Sequence, residues 1–257
     1  MRDNNLNTLS GWVKDVMFAL AFLTRLPVPL NKASGKRPLC EVAWAFPIVG
    51  IIVGGLAGLA LLLGFQLDQH PLVCGLFAIG ATVFVTGALH EDGLADVADG
   101  FGGAHKVSDK LRIMHDSTVG SYGALALVFS VALRAGTLAG MLTPSIAVLA
   151  LITAGAVSRG MMVAVMSQLD MARQDGLGAS AGKPANEGAL VALGLSATTA
   201  FLLLGANGWI VLAVALCAAI LMGWMAKRQI GGQTGDVLGA IQQVTEAAVL
   251  LSVVAVI

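Results

Sequence analysis

Apolar residues gather in long blocks, and short polar stretches separate them. Seven blocks approach or reach the length of a membrane span: 43–65, 71–89, 119–141, 144–168, 188–205, 208–226 and 237–257. A hydrocarbon core about 30 Å thick needs about 20 apolar residues in helical form, and within lipid the backbone must satisfy its own hydrogen bonds. Each block therefore predicts a transmembrane helix. An earlier block, 11–26, is short and is interrupted by Lys14, Asp15 and Arg25. It predicts an interfacial or re-entrant helix. The expected fold is all-α: a polytopic integral membrane helical bundle of about seven transmembrane helices plus that N-terminal helix. No linker breaks the pattern, so residues 1–257 are read as a single transmembrane domain.

Composition agrees. The chain is 57% hydrophobic and only 12% charged, where soluble domains carry about 25% charged residues. Its 32 glycines suit close helix–helix contact in lipid. Formal net charge is zero, and no basic patch interleaved with aromatics is present, so nucleic acid is not an expected partner. Cys40, Cys74 and Cys217 are isolated in or beside apolar runs and are read as bland core residues. Residues 1–10 are polar, with Arg2 offset by Asp3, and do not read as a signal peptide.

Loop charge alternates. Lys32, Lys36 and Arg37 precede the first span, and Lys106, Lys110 and Arg112 follow the second. Arg173 and Lys183 follow the fourth, and Lys227 and Arg228 the sixth. The intervening turns, 66–70, 142–143 and 206–207, hold no Lys or Arg. The positive-inside rule then puts the N-terminus and the polar loops in the cytoplasm of a prokaryotic inner membrane. Residues 104–118 carry Val107, Leu111 and Met114 at helical spacing. They predict an amphipathic surface helix, lying like a lid, with Lys106 and Lys110 solvated.

The densest polar stretch directly follows the second span. Residues 88–103 hold Glu91, Asp92, Asp96 and Asp99, and carboxylates at such depth are costly. If the apolar helix runs on through them, at about 100° per residue, Asp92 and Asp96 lie about 40° apart, with Asp99 about 20° to the other side of Asp92. Like charges on one face repel, and a divalent cation would remove the repulsion. All-oxygen donors suit Mg²⁺ or Mn²⁺. A solvated acidic helix end is the bland alternative. The candidate metal residues are Asp92, Asp96, Asp99 and Glu91, and Asp99 could double as a catalytic base.

Other polar residues fall at the same membrane face. Gly231-Gly232-Gln233-Thr234-Gly235-Asp236 precedes the last span. Its glycines allow backbone N–H groups to approach a phosphate, and the helix start beyond adds its positive end. Gly231, Gly232, Gly235 and Asp236 are thus candidate substrate-binding residues, or Asp236 is a plain helix cap. Arg159 lies inside the fourth span and is expected to face the interior, pairing with the acidic cluster or an anionic substrate, or else to snorkel. Arg134 in the third span is left unassigned. His115 is a candidate base, and Asp116 is a catalytic candidate or a helix cap. The loop 169–187, with Asp170, Arg173, Asp175, Lys183 and Glu187 among Gly176, Gly178, Gly182 and Pro184, could help hold a large substrate.

Six motifs in order resemble the cobalamin synthase (adenosylcobinamide-GDP ribazoletransferase) family over nearly the whole chain. They are Phe22-Leu23-Thr24-Arg25-Leu26-Pro27-Val28-Pro29, Phe46-Pro47-Ile48-Val49-Gly50, Asp92-Gly93-Leu94-Ala95-Asp96-Val97-Ala98-Asp99-Gly100, Arg112-Ile113-Met114-His115-Asp116-Ser117, Ser158-Arg159-Gly160 and the 231–236 stretch. The resemblance implies an Mg²⁺-dependent transferase. It would join adenosylcobinamide-GDP to α-ribazole, or to its 5′-phosphate, and release GMP in the late nucleotide-loop step of cobalamin biosynthesis. The partners are then these small molecules and the lipid bilayer; a homo-oligomer is left open. The Asp-Gly-x-x-Ala/Asp portion, here Asp92-Gly93-Leu94-Ala95-Asp96, is also similar to CDP-alcohol phosphotransferases. Their longer aspartate pattern fails here, because Val107 and Leu111 stand where further aspartates belong. A membrane prenyltransferase would want a second aspartate-rich motif, and a cation transporter would want acids on several spans.

Overall fold

A computed structural model describes residues 9–29, 38–141, 143–173 and 181–257. Arg2, Asp3, Lys32, Lys36, Arg37, Asp175, Gly176 and Gly178 lie outside the described residues. The helices are α1 (Leu9–Leu23), α2 (Phe46–Gln66), α3 (Pro71–Thr86), α4 (Leu89–Gly103), α5 (Val107–Ile113), α6 (Ser121–Ala139), α7 (Pro144–Gln168), α8 (Asn186–Leu204), α9 (Gly208–Ile230) and α10 (Gly235–Val256). Among the described residues the β-structure is a single parallel bridge, Met171 to Gln233.

Five stretches are long and apolar enough to cross a membrane, and the bent pair α3 and α4 makes a sixth if it counts as one broken span. One of the five, Asn186–Ile230, is 45 residues long, but it is a hairpin. The rings of Phe201 and Trp209 pack edge to face with centroids 4.8 Å apart, where eight residues of continuous helix would separate them by about 12 Å. Counting α8 and α9 separately matches the seven apolar blocks of the sequence. Helix α1 is 15 residues long, too short to span, as its interrupted pattern predicts. Large apolar side chains such as Phe84, Phe129, Leu202 and Trp209 are exposed, the outward face that lipid would cover.

Glycine sets the central contact. A Cβ on Gly50 of α2 would lie 2.0 Å from the carbonyl oxygen of Gly155 on α7, and one on Gly54 would lie 2.4 Å from that of Leu151. Backbones approach this closely only where side chains are absent, the small-residue packing of membrane helices. Helices α7 and α10 are the most buried spans, while the α8–α9 hairpin and α6 are more exposed.

The second apolar block does not run on through the acidic cluster. It ends at Gly87 and Ala88, both left-handed at φ 65° and 59°, and α4 leaves at 94° to α3. Glycine takes that conformation freely, but for Ala88 it costs about 1–2 kcal/mol. The 22–29 segment braces the break: the Arg25 N–H donates to Val85 O at 2.7 Å, and the Arg25 side chain lies over Gly87. The acids therefore occupy a separate helix, on which their relative spacing is as read from the sequence.

Two ends of the bundle follow from contacts. Helices α4 and α5, residues 170–173 and residues 229–236 meet at one end. At the other, Asn207 Nδ2 donates to Val256 O at 3.0 Å, so the 205–207 turn and the C-terminal end of α10 sit together.

Candidate active site

Helix α4 divides its acids between two faces. Asp99 is buried. Its Oδ2 accepts from the Gly120 N–H at 2.7 Å and its Oδ1 from the Gly123 N–H at 2.9 Å. It therefore caps the start of α6, whose own N-cap supplies no side-chain bond. Glu91 is also buried and faces inward, 3.3 Å from the Arg134 guanidinium. Asp92 is exposed and Asp96 half-buried. Neither makes an ion pair or hydrogen bond among the described residues, and Asp92, Asp236 and Asp99 lie close enough for their charges to act on Asp96.

Asp236 reaches this face because α4 and α10 touch through glycine. A Cβ on Gly93 would lie 2.7 Å from Asp236 O, and one on Gly239 would lie 3.3 Å from His90 Cα. Asp236 is not the cap of α10: Thr234 is, accepting from the Val237 N–H at 3.2 Å. The Asp236 carboxylate instead takes a bond from Thr234 Oγ1 at 3.1 Å and pairs with Arg173 at 3.3 Å. Three carboxylates from two helices thus gather at one face of the bundle, with the Arg173 guanidinium beside them.

The glycine-rich loop is partly committed to structure. Gly231 is left-handed at φ 83° and ends α9. Gly232 lets the chain pass Asp170, since a Cβ there would lie 2.2 Å from Asp170 O. The Gln233 N–H donates to Asp170 O and the Ala172 N–H to Gln233 O, both at 2.8 Å. The Gln233 side chain closes the C-terminal end of α7, donating to Met166 O and Leu169 O at 3.0 and 2.8 Å. Gly235 and Asp236 open α10, where first-turn N–H groups are characteristically unpaired.

His115 is exposed and lies within electrostatic range of Asp236. Asp116 closes a local turn, accepting from the Thr118 N–H at 2.9 Å and Thr118 Oγ1 at 2.7 Å. Those bonds hold its carboxyl below the ordinary range. Helix α5 is shorter than the 104–118 segment expected. Lys110, read as solvated, is buried: its Nζ bonds to Gln229 Oε1 on α9, while Met114 packs against Gly100. Lys106 is exposed, as read.

Arg159 lies apart from the open face. It is 1% exposed, its Nη1 donates to Gly155 O at 3.1 Å, and the charges acting on it are those of Glu246 and Glu91. The centre of this inner network is Arg134, fully buried, with Glu246 at 2.9 Å and Glu91 at 3.3 Å. Gln243 donates to Glu91 at 3.1 Å, and Gln242 to Glu246 at 2.6 Å. Sequence reasoning left Arg134 unassigned and passed over Glu246. The signal was available: one acid alone in the apolar 237–257 block and one arginine alone in 119–141 are each costly unless paired.

Among the described residues no three His, Cys, Asp or Glu side chains form a ready-made metal centre. The donor set still fits a hard divalent ion. Asp92 and Asp96 are uncommitted oxygen donors, and Mg²⁺ is commonly held by one or two carboxylates, with substrate phosphates and water completing its shell.

Comparison with known proteins bears on the same chain. Residues 15–254 match the family model described as cobalamin-5-phosphate synthase. The chain is 39% identical over 245 residues to the adenosylcobinamide-GDP ribazoletransferase of Bradyrhizobium diazoefficiens, covering 95% of this chain and 94% of that one. It is 44% identical over 246 residues to that of Mesorhizobium japonicum, covering 92% and 91%. It is 44% identical over 250 residues to that of Azorhizobium caulinodans, covering 93% and 94%. No solved structure matches the chain.

Proposed function

The chain belongs to the cobalamin-5-phosphate synthase family, and from that premise we propose that it joins adenosylcobinamide-GDP to α-ribazole, or to α-ribazole 5′-phosphate. GMP is released, and the product is adenosylcobalamin or its 5′-phosphate. The observation that carries the site is the meeting of Asp92 and Asp96 with Asp236 across the Gly93 contact.

Transfer of a phosphoryl group rests mainly on positioning and on neutralising charge. Asp92 and Asp96 are the residues that would hold Mg²⁺. Glu91 and Asp99, also candidates by sequence, are already engaged by Arg134 and by the start of α6. When bound, the ion supplies charge neutralisation on the diphosphate and the departing GMP. Arg173 is poised to exchange Asp236 for a phosphate oxygen. Thr234 takes the Val237 N–H, which leaves the Gly235 and Asp236 end of α10 to favour an anion through its positive dipole end. His115, exposed beside Asp236, takes the proton from the attacking ribazole hydroxyl. Asp99 is less suited to that role, since both its oxygens already accept backbone bonds. We assign the protein to the cytoplasmic membrane, with this end of the bundle facing the cytoplasm, and read residues 1–257 as one domain.

The test is purified protein with adenosylcobinamide-GDP, α-ribazole and Mg²⁺, with GMP followed with and without a chelator. GMP release that stops on chelation supports the reading. Turnover of CDP-diacylglycerol instead, or chelator-resistant GMP release, overturns the substrate or the ion respectively.

A further inference from the structure

Helix α4 does not inherit its orientation from α3. Two successive left-handed residues and a 94° bend separate them. Its close contact with α10 needs a bare glycine at Gly93, and Asp99 ties its C-terminal half to Gly120 and Gly123 at the start of α6. Its first turn, where Asp92 sits, is held by a separate polar network. Glu91, the residue before Asp92, accepts from Arg134 at 3.3 Å and from Gln243 at 3.1 Å. Arg134 also donates to Glu246 at 2.9 Å and, through Nε, to Ser130 O at 3.4 Å. One guanidinium therefore ties α4, α6 and α10 together, with no exposed surface of its own.

We propose that Arg134 is a positioning residue for the reaction: through Glu91 and Glu246 it sets the rotation of α4 against α10, and so holds Asp92 and Asp96 facing Asp236. It touches neither ion nor substrate. A buried ion pair is weak evidence for stability, since apolar replacement of the whole set is often neutral or stabilising. Its use here is geometric. Asp99 anchors the far end of α4 to α6, and Glu91 on Arg134 anchors the near end with Asp92 outward. The inference rests on the reading of Asp92 and Asp96 as ion-holding residues.

The experiment measures Mn²⁺ binding by electron paramagnetic resonance in detergent, without substrate, alongside the Mg²⁺ concentration giving half-maximal GMP release. The variants are Arg134→Lys, the double Glu91→Gln/Arg134→Met, and Asp92→Asn. The double removes one charge of each sign and leaves Glu246 to face Arg159, and its folding is checked by gel filtration and thermal unfolding. Arg134→Lys keeps the charge but loses the two-pronged reach, and it decides the question if the double does not survive purification. Expected is a folded variant whose Mn²⁺ affinity falls about tenfold or more, the effect of losing support behind a metal site, with a matching rise in the Mg²⁺ requirement. Wild-type Mn²⁺ affinity in a folded double or in Arg134→Lys overturns the inference. Wild-type affinity in Asp92→Asn overturns instead the ion-holding reading beneath it.

Discussion

Gly93 of α4 and Asp236 of α10 meet backbone to backbone, so that a single added methyl would lie 2.7 Å from the Asp236 carbonyl oxygen. The contact brings the acidic face of one helix to the first turn of another. Gly93→Ala should therefore act against its helix propensity. Alanine in a helix interior normally gains about 0.5–1 kcal/mol over glycine, but here overpacking costs about 1–3 kcal/mol. The expected result is a lower thermal midpoint together with a larger loss of GMP release, since α4 must move off Asp236. Thermal unfolding and turnover measured on one preparation check both. A stabilised, fully active Gly93→Ala protein would show that the two helices need not touch.

Asp92→Asn and Asp96→Asn remove a charge each without changing shape. Neither carboxylate makes a hydrogen bond or ion pair among the described residues, so neither change strands a partner. Both proteins should reach the membrane and purify normally, with Mg²⁺-dependent GMP release down about a hundredfold or more, the scale of losing one charge-stabilising group in a preorganised site. Full activity in either variant removes that residue from the site.

Asp99 should behave differently. Asp99→Ala leaves the Gly120 and Gly123 N–H groups without their acceptor; Gly123 is buried, and an unmet buried donor costs about 1–3 kcal/mol. The thermal midpoint should fall, while Mn²⁺ affinity falls far less than in Asp92→Asn. The opposite pattern, unchanged stability with abolished Mn²⁺ binding, would return Asp99 to the ion.

The contrast among these acids shows where the sequence was legible. Membrane helices announce themselves because lipid allows few alternatives, so the seven apolar blocks could be read directly, and so could the gathering of polar loops at one end. The spacing of Asp92, Asp96 and Asp99 was legible too, because it is local to one helix. What that spacing cannot encode is partnership. Asp99 belongs to Gly120 and Gly123, Glu91 to Arg134, and Lys110 to Gln229, each across more than twenty residues. The break at Gly87–Ala88 was hidden for a related reason: an alanine rarely turns left-handed, and here Arg25 braces the turn from a distant part of the chain. Likewise the glycines at 231 and 232 read as a phosphate cradle, when one ends α9 and the other clears Asp170.

The side of the membrane on which the site opens can be tested by labelling. His105 is exposed between α4 and α5, at the same end as Arg173, Lys183, Lys227 and Arg228, whereas Ala206 is exposed in the turn beside Val256. The second end carries no Lys or Arg in its turns 66–70 and 206–207, so the proposed orientation, with the His105 end in the cytoplasm, is the one the positive-inside rule predicts. In a background where Cys40, Cys74 and Cys217 are replaced, His105→Cys and Ala206→Cys each offer one exposed thiol. A membrane-impermeant maleimide added to intact cells, with the outer membrane opened, should label Ala206→Cys at once. It should label His105→Cys only after the inner membrane is permeabilised. Reversed labelling would point the aspartates away from the cytoplasm, where a nucleoside diphosphate-linked substrate could not reach them.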